Sequence, residues 1–353
     1  MRSGQYLGGA RIAGGIERAV AGQADLHVLR GLRALSRKVH QQALGDALRI
    51  GGTTATECNA RQPGQRLELD RVADRVGRLL RAGEGQFGRA VIASNQSDLL
   101  ALLQFAEQGL LIAREIGDRR TESIELCNLG TTLLDFGAHA RAAQLFDEGL
   151  RLTRACGIRA SEAVVLANLA ELALREGDAG QARANAQAAL DIATAVHDPG
   201  TRAFAAFLVG EAWLALGEPA EAAGAFARAR DGAHAVGDPV EFWAAAGLAR
   251  VALAGGDAVE AQRIAEELLV HLTADGGPQA THNMLIRLTC YRAFQAAGDA
   301  RSVEVLATAH AALQARAATV NDALLRDGFL TNVPEHRAIV TAWEARQAAA
   351  ALC

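Results

Sequence analysis

Residues 196–240 read VHDPGTRAFAAFLVGEAWLALGEPAEAAGAFARARDGAHAVGDPV, and the fold follows from what opens, divides and closes this stretch. It begins at Asp198-Pro199 and closes at Asp238-Pro239, forty residues later, with Gly217-Glu218-Pro219 near the middle. Glycine takes the left-handed conformation most easily, so it ends helices. An aspartate followed by proline begins them: the carboxylate accepts the orphan amides of the first turn, and proline at the first helical position forfeits no hydrogen bond. The period therefore predicts two helices of about twenty residues each, joined tightly.

The same punctuation recurs along the chain. One series falls at Gly117, Gly157, Asp198, Gly237 and Gly277, and the other halfway between, at Gly137, Gly177, Gly217, Gly256 and Gly298. The spacings Asp238 to Glu241 and Asp257 to Glu260 predict reciprocal capping boxes, and loss of one such cap costs about 1 kcal/mol. Between the marks the apolar residues keep helical spacing. Ile124, Leu126, Leu129 and Leu133 are expected on one side of a helix, and Ala142, Leu145, Phe146 and Leu150 on one side of the next. Helix pairs are predicted at 119–156, 158–197, 199–236, 239–274 and 279–317, with a further helix at 98–116. A single amphipathic pair cannot bury its face alone, whereas stacked pairs cover one another.

These residues resemble the tetratricopeptide repeat (TPR) family, whose pattern sets Leu and a small residue in the first helix and Ala-x-x-x-Phe in the second. Here the places read Leu129-Gly130, Leu169-Ala170 and Val209-Gly210, then Ala142 with Phe146, Ala182 with Ala186, Ala222 with Phe226, and Ala261 with Ala265. The resemblance covers about residues 98–317. It departs from the family in its period, forty against the usual 34, and in lacking the terminal proline of each repeat; a HEAT-like array of similar period is the alternative. Either way the expected fold class is all-α: an α-solenoid of TPR-like helical hairpins with a C-terminal capping helix pair. Phe329, Leu330, Ile339 and Trp343 are read as the cover of the last hairpin. Pro334 is placed in a first turn, and His336 and Arg337 on the cap's outer face.

Composition divides the chain near residue 95. Residues 1–95 hold 15 of the 36 glycines and carry a formal charge of +7, whereas 96–353 carry −11. The head lacks the period. Two stretches, 24–50 and 66–83, have helical patterning, but no helix-turn-helix spacing is evident. The domains are thus read as a basic, Gly-rich segment over 1–95, repeats over 96–317 and a cap over 318–353. The repeat pattern starts abruptly, so the array is expected to lack a partner helix near 79–96. Five cysteines without a C-x-x-C pair suggest neither a disulfide framework nor a zinc site. No leader or membrane-spanning stretch is read, and a cytoplasmic location is expected.

Catalytic motifs are absent. The sole lysine, Lys38, lies outside any glycine-rich phosphate loop, and no H-E-x-x-H, G-x-S-x-G or strand-borne G-x-G-x-x-G occurs. No catalytic residue, metal site or cofactor is assigned. What remains is the inner surface, where TPR-like proteins take extended peptides or partner helices. Asn128 and Asn168 stand forty residues apart, each just before the Leu-small pair. The resemblance implies that they bond a ligand backbone, for which an amide has both a donor and an acceptor. Thr131, Asp135 and Arg175 are placed on the same face, while Trp213, Phe242 and Trp243 are read as packing.

The ending LLRDGFLTNVPEHRAIVTAWEA, residues 324–345, resembles the close of TPR regions at the C-termini of multidomain bacterial signalling proteins, including ATPase-containing transcriptional regulators and nucleotide cyclases. That resemblance implies a non-catalytic sensor or scaffold arm binding a protein or peptide partner, with its output domain not recognisable here. The alternative is a DNA-associated transcriptional regulator with ligand-sensing repeats. Nucleic acid would then be met through the basic segment 1–95.

Overall fold

The computed structural model describes residues 99–274 and 283–351. The head, with its two candidate helices, and Gly277 lie outside the described residues. Every element within them is an α-helix. After α1 (Leu99–Ile116) come five hairpins. They are α2 (Arg119–Asp135) with α3 (His139–Ala155), α4 (Arg159–Glu176) with α5 (Ala179–Ala195), α6 (Pro199–Ala215) with α7 (Pro219–His234), α8 (Val240–Ala254) with α9 (Ala258–Ala274), and α10 (Asn283–Ala296) with α11 (Arg301–Thr319). The cap follows as α12 (Ala323–Thr331) and α13 (Pro334–Ala351). The fold is an α-solenoid of TPR-like hairpins.

Where the junction between helices is described, two to five residues end one helix and start the next. At the α1–α2 turn Gly117 has φ +73°, and the amide of Asp118 donates to the carbonyl of Ala113 at 3.0 Å. The Asp118 carboxylate meanwhile accepts from the amides of Arg120 and Thr121 at 3.1 Å. One residue thus closes a Schellman-type end and caps the following helix. The reciprocal capping boxes expected from sequence do not form, for this reason. The amides of Asp238 and Asp257 already donate to Ala233 and Ala252, at 3.0 and 2.9 Å, so Glu241 and Glu260 turn to His234 and Arg263 instead. The aspartates still cap, accepting from the amides of Val240 and Glu260 at 3.0 Å. Between α5 and α6 the left-handed place is held by His197, φ 56°, a residue type that tolerates it better than most.

Charge follows the same period. Glu122 is 4% exposed and is held by Arg114 of the preceding helix and by Arg119 of its own first turn, at 3.1 and 2.8 Å. Forty residues on, Glu162 is held likewise by Arg154 and Arg159, at 3.0 and 2.6 Å.

Close packing rests on paired small and large side chains. Gly130 faces the Phe146 ring and Gly210 faces the Phe226 ring, while Gly247 of the next hairpin meets that same Phe226 ring. Where α5 has Ala186 in place of phenylalanine, α4 has Ala170 in place of glycine, and both are fully buried. One apolar residue departs from expectation. Ile124 is 37% exposed, because the buried side of α2 is defined by Leu126, Leu129 and Leu133. Leu145 and Leu150 pack partly buried beside Phe146, as the spacing predicts.

The stack curves until its end meets its beginning. Phe136, at the end of α2, shares one buried cluster with Met284 and Leu288 of α10, Leu306 and Leu313 of α11, Phe329 of α12 and Ile339 of α13. Asn332 Nδ2 donates to the carbonyl of Gly137 at 3.1 Å across 195 residues of sequence. Gly137 has φ +70°, and a side-chain carbon there would stand 2.6 Å from the Gly328 carbonyl oxygen. The cap covers the last hairpin as expected, with Leu330 and Trp343 partly buried against it. It also turns inward, and this places His336 wrongly in the sequence reading. His336 is only 2% exposed, whereas Arg337 does face outward.

Candidate functional site: the concave face and its closed centre

The first helices of the hairpins, α2, α4, α6, α8 and α10, touch one another in succession, and the last four of them line one cavity, which marks this as the inner side. On α2, Asn128, Thr131 and Asp135 occupy one stripe at offsets of three and seven; Asn168, Glu171 and Arg175 repeat the offsets on α4. Asn128 is exposed, and its Nδ2 donates to Glu125 Oε2 at 3.3 Å. Burial pushes the Glu125 carboxyl up to about 6. Thr131 is half-buried, while Asn168 and Asp135 are 7% and 9% exposed. The five sequence-derived residues are therefore unequal: Asn128 meets solvent, and Asn168, Asp135 and Arg175 lie deeper.

Arg175 marks where the groove closes. Its side chain is 8% exposed, and Nη2 donates to Glu171 Oε1 at 2.6 Å. Burial works against the guanidinium charge, but Glu171, Glu335 and Asp135 outweigh it and keep the group protonated. Two inner helices further on, on α8, Arg250 Nη1 donates to Glu211 Oε2 of α6 at 2.9 Å, and Arg250 Nη2 pairs with the other Glu211 oxygen. These two pairs and Glu335 of the cap line a cavity of about 280 Å³ with Phe207. Arg175 Nη1 and Arg250 Nε are buried without an acceptor. A buried donor with no partner at all costs about 1–3 kcal/mol.

Sequence reading found Arg175 but missed Glu171, Glu211, Arg250 and Glu335. A signal existed for three of them. Glu171 and Glu211 are forty residues apart and Arg250 follows after 39, charges recurring in phase on helices that are otherwise apolar on that side. Nothing in the sequence brings Glu335 to them, since only the closure of the stack does.

His336 gives the cap a pH dependence. Its Nδ1 donates to the Phe329 carbonyl at 2.7 Å, which fixes the proton on that nitrogen. Burial lowers its pKa from 6.5 to about 4, with the Phe329 hydrogen bond and Glu335 opposing and Arg175 and Arg316 assisting. The unfolded chain takes up this proton first as pH falls. The contribution of His336 is therefore complete above pH 6.5 and lost progressively towards pH 4. Glu125 acts oppositely: its raised carboxyl weakens the fold above pH 6 and ceases to do so below 4.5. Urea midpoints at pH 7 and 4.5 for the parent and for His336→Asn isolate the histidine. The variant is expected to lose less stability on acidification, and an equal loss in both would refute the assignment.

Among the described residues no group of His, Cys, Asp and Glu is arranged to hold a metal, and no helix is long and apolar enough to cross a membrane. Cys127 and Cys290 are buried, and burial pushes both thiols up to about 12, which leaves them protonated and unreactive. Trp243 packs against Phe204 and Phe207, at ring distances of 6.1 Å, and Phe242 stacks on His271. Arg183 lies over the partly buried Trp213 at 4.7 Å.

No family model matches the chain, and no curated protein matches it either. Solved structures do. A Rap protein complexed with competence and sporulation factor superposes with a TM-score of 0.55 at 13% identity, over 73% of this chain and 74% of that one. The apo form of RapI superposes with a TM-score of 0.52 at 13% identity, over 73% and 84% respectively. At such identity the likeness is one of fold.

Proposed function

We propose that this chain is a non-catalytic TPR interaction module whose concave face takes an extended peptide or a segment of a partner protein. The observation that carries the reading is the doubled polar stripe, Asn128, Thr131 and Asp135 on α2 with Asn168 and Arg175 on α4, set in phase on adjacent inner helices. An extended backbone laid across them meets amide groups that donate and accept at repeat spacing, which reads main chain more than sequence. A fold neighbour solved in complex with a factor supports a binding role for such a fold. We assign the repeats to 96–317, the cap to 318–353 and a separate basic segment to 1–95. With the C-terminal resemblance, these make the chain the sensor or scaffold part of a bacterial cytoplasmic signalling protein.

The test uses peptides selected from a random decapeptide library on the full chain. Asn128→Ala with Asn168→Ala is expected to weaken their binding at least about tenfold at an unchanged melting temperature. Failure to select any peptide, or selected peptides indifferent to both asparagines, would sink the reading. The charge contrast between +7 in the head and −11 in the remainder favours one rival, DNA association through residues 1–95. A duplex whose affinity for the chain falls steeply with salt would favour that rival, since neutralised phosphates release counterions.

A further inference from the structure

The centre of the closed solenoid has the makings of a small-molecule site, distinct from a peptide groove. The cavity of about 280 Å³ lies just below the roughly 300–1,000 Å³ of drug-sized sites, too small for an extended peptide strand. Its apolar wall is supplied by Phe207, Leu208, Leu214 and Leu285. Its polar wall has an unusual balance. Glu171 and Glu211 are already satisfied by Arg175 and Arg250. Glu335 is left over: it feels the positive charges of Arg175, Arg250 and Arg292, yet no described residue donates a hydrogen bond to its carboxylate.

The cavity is thus lined by the guanidinium groups of Arg175 and Arg250, each of which also keeps one buried N–H without an acceptor, and by one carboxylate without a donor. A simple anion would bring a further negative charge beside three glutamates, and a simple cation would meet the arginines. A ligand with both charges avoids each penalty. We propose that the central cavity binds a small zwitterion, an apolar α-amino acid, with its carboxylate towards Arg175 and Arg250, its ammonium towards Glu335 and its side chain on Phe207 and the leucines. Arg175 also belongs to the proposed peptide groove. An amino acid held here needs no peptide on Asn128 and Asn168, so the two readings stand or fall separately.

Calorimetric titration of the full chain with L-leucine and L-phenylalanine tests the proposal. Each is compared with the carboxylate and the amine that lack one of its charges: 4-methylpentanoate and 3-methylbutylamine, or 3-phenylpropionate and 2-phenylethylamine. At least one amino acid is expected to bind, with both of its analogues at least about tenfold weaker. Glu335→Gln is expected to remove the advantage of the amino acid over its matching carboxylate, which itself should bind the variant no more weakly than the parent because one repelling charge is gone. Glu335 is half-exposed, so the variant should keep its melting temperature. Binding by neither amino acid, analogues that bind as tightly, or a folded Glu335→Gln with parental affinity would each overturn the proposal.

Discussion

Phe226→Ala should lose about 3–5 kcal/mol of unfolding free energy, the cost of deleting a fully buried aromatic ring from a site that cannot collapse around the space. This ring cannot be replaced by its surroundings, because two glycines were shaped to it. A side-chain carbon at Gly210, on the partner helix of its own hairpin, or at Gly247, on the next hairpin, would stand 2.6 Å from Phe226 ring carbons. Gly247→Ala is therefore an informative companion. In an exposed helix the change would stabilise by about 1 kcal/mol; here overpacking should reverse the sign and cost about 1–3 kcal/mol. Combining Phe226→Leu with Gly210→Ala should be less harmful than the sum of the two, since the smaller side chain makes room for the added methyl. Denaturant melts at constant slope measure all five variants, the two single substitutions of that pair included. Strict additivity, or a Gly247→Ala protein more stable than the parent, would mean that the ring is not clamped.

The second large effect concerns closure. Phe329 is 1% exposed and lies in the cluster that joins Phe136 to the last hairpin and the cap, with the His336 ring 4.3 Å away. Phe329→Ala should cost about 3–5 kcal/mol locally. The loss should appear first as release of the cap rather than as global melting, because repeat arrays gain their stability from neighbour to neighbour. Gly137→Ala attacks the same contact from the other end, through a left-handed backbone and a clash with Gly328. Left-handed backbone alone costs an alanine about 1–2 kcal/mol. Hydrogen exchange distinguishes closure from a free-standing cap. If the cap is docked on the first hairpin, either substitution should deprotect residues near 136 and near 339 together while 159–254 stay protected. Deprotection confined to 323–351 would show the two ends to be independent.

The repeats were legible because their determinants are local. Gly117 and Asp118 lie within three residues of everything they cap, so the forty-residue period could be read as hairpins and the helix spans follow it closely. Even the Gly–Phe and Ala–Ala alternation at 130/146, 170/186 and 210/226 is written in the order of residues, since each pair sits in one hairpin. The capping boxes were misread because a residue that ends one helix has already spent its amide, a conflict visible only when both neighbours are in place. The orientation of Ile124 was misjudged for a similar reason: on a helix packed from several sides, the apolar stripe alone does not say which edge is left open.

The candidate site divides along the same line. Asn128 and Asn168 are in phase by sequence, and so are Glu171, Glu211 and Arg250, because a constant period places equivalent side chains on one inner face. What the sequence determined by itself is thus the unit, its caps and the face it presents. Only the tertiary structure decided how far the stack curves. Fits such as the Phe226 ring against Gly210 and Gly247 join successive helices, and over five units the stack brings Asn332 to Gly137. That accumulated curvature turns the cap from a lid on the last hairpin into a wall of the central cavity. It sets Glu335 opposite arginines 85 and 160 residues earlier in the chain, Arg250 and Arg175.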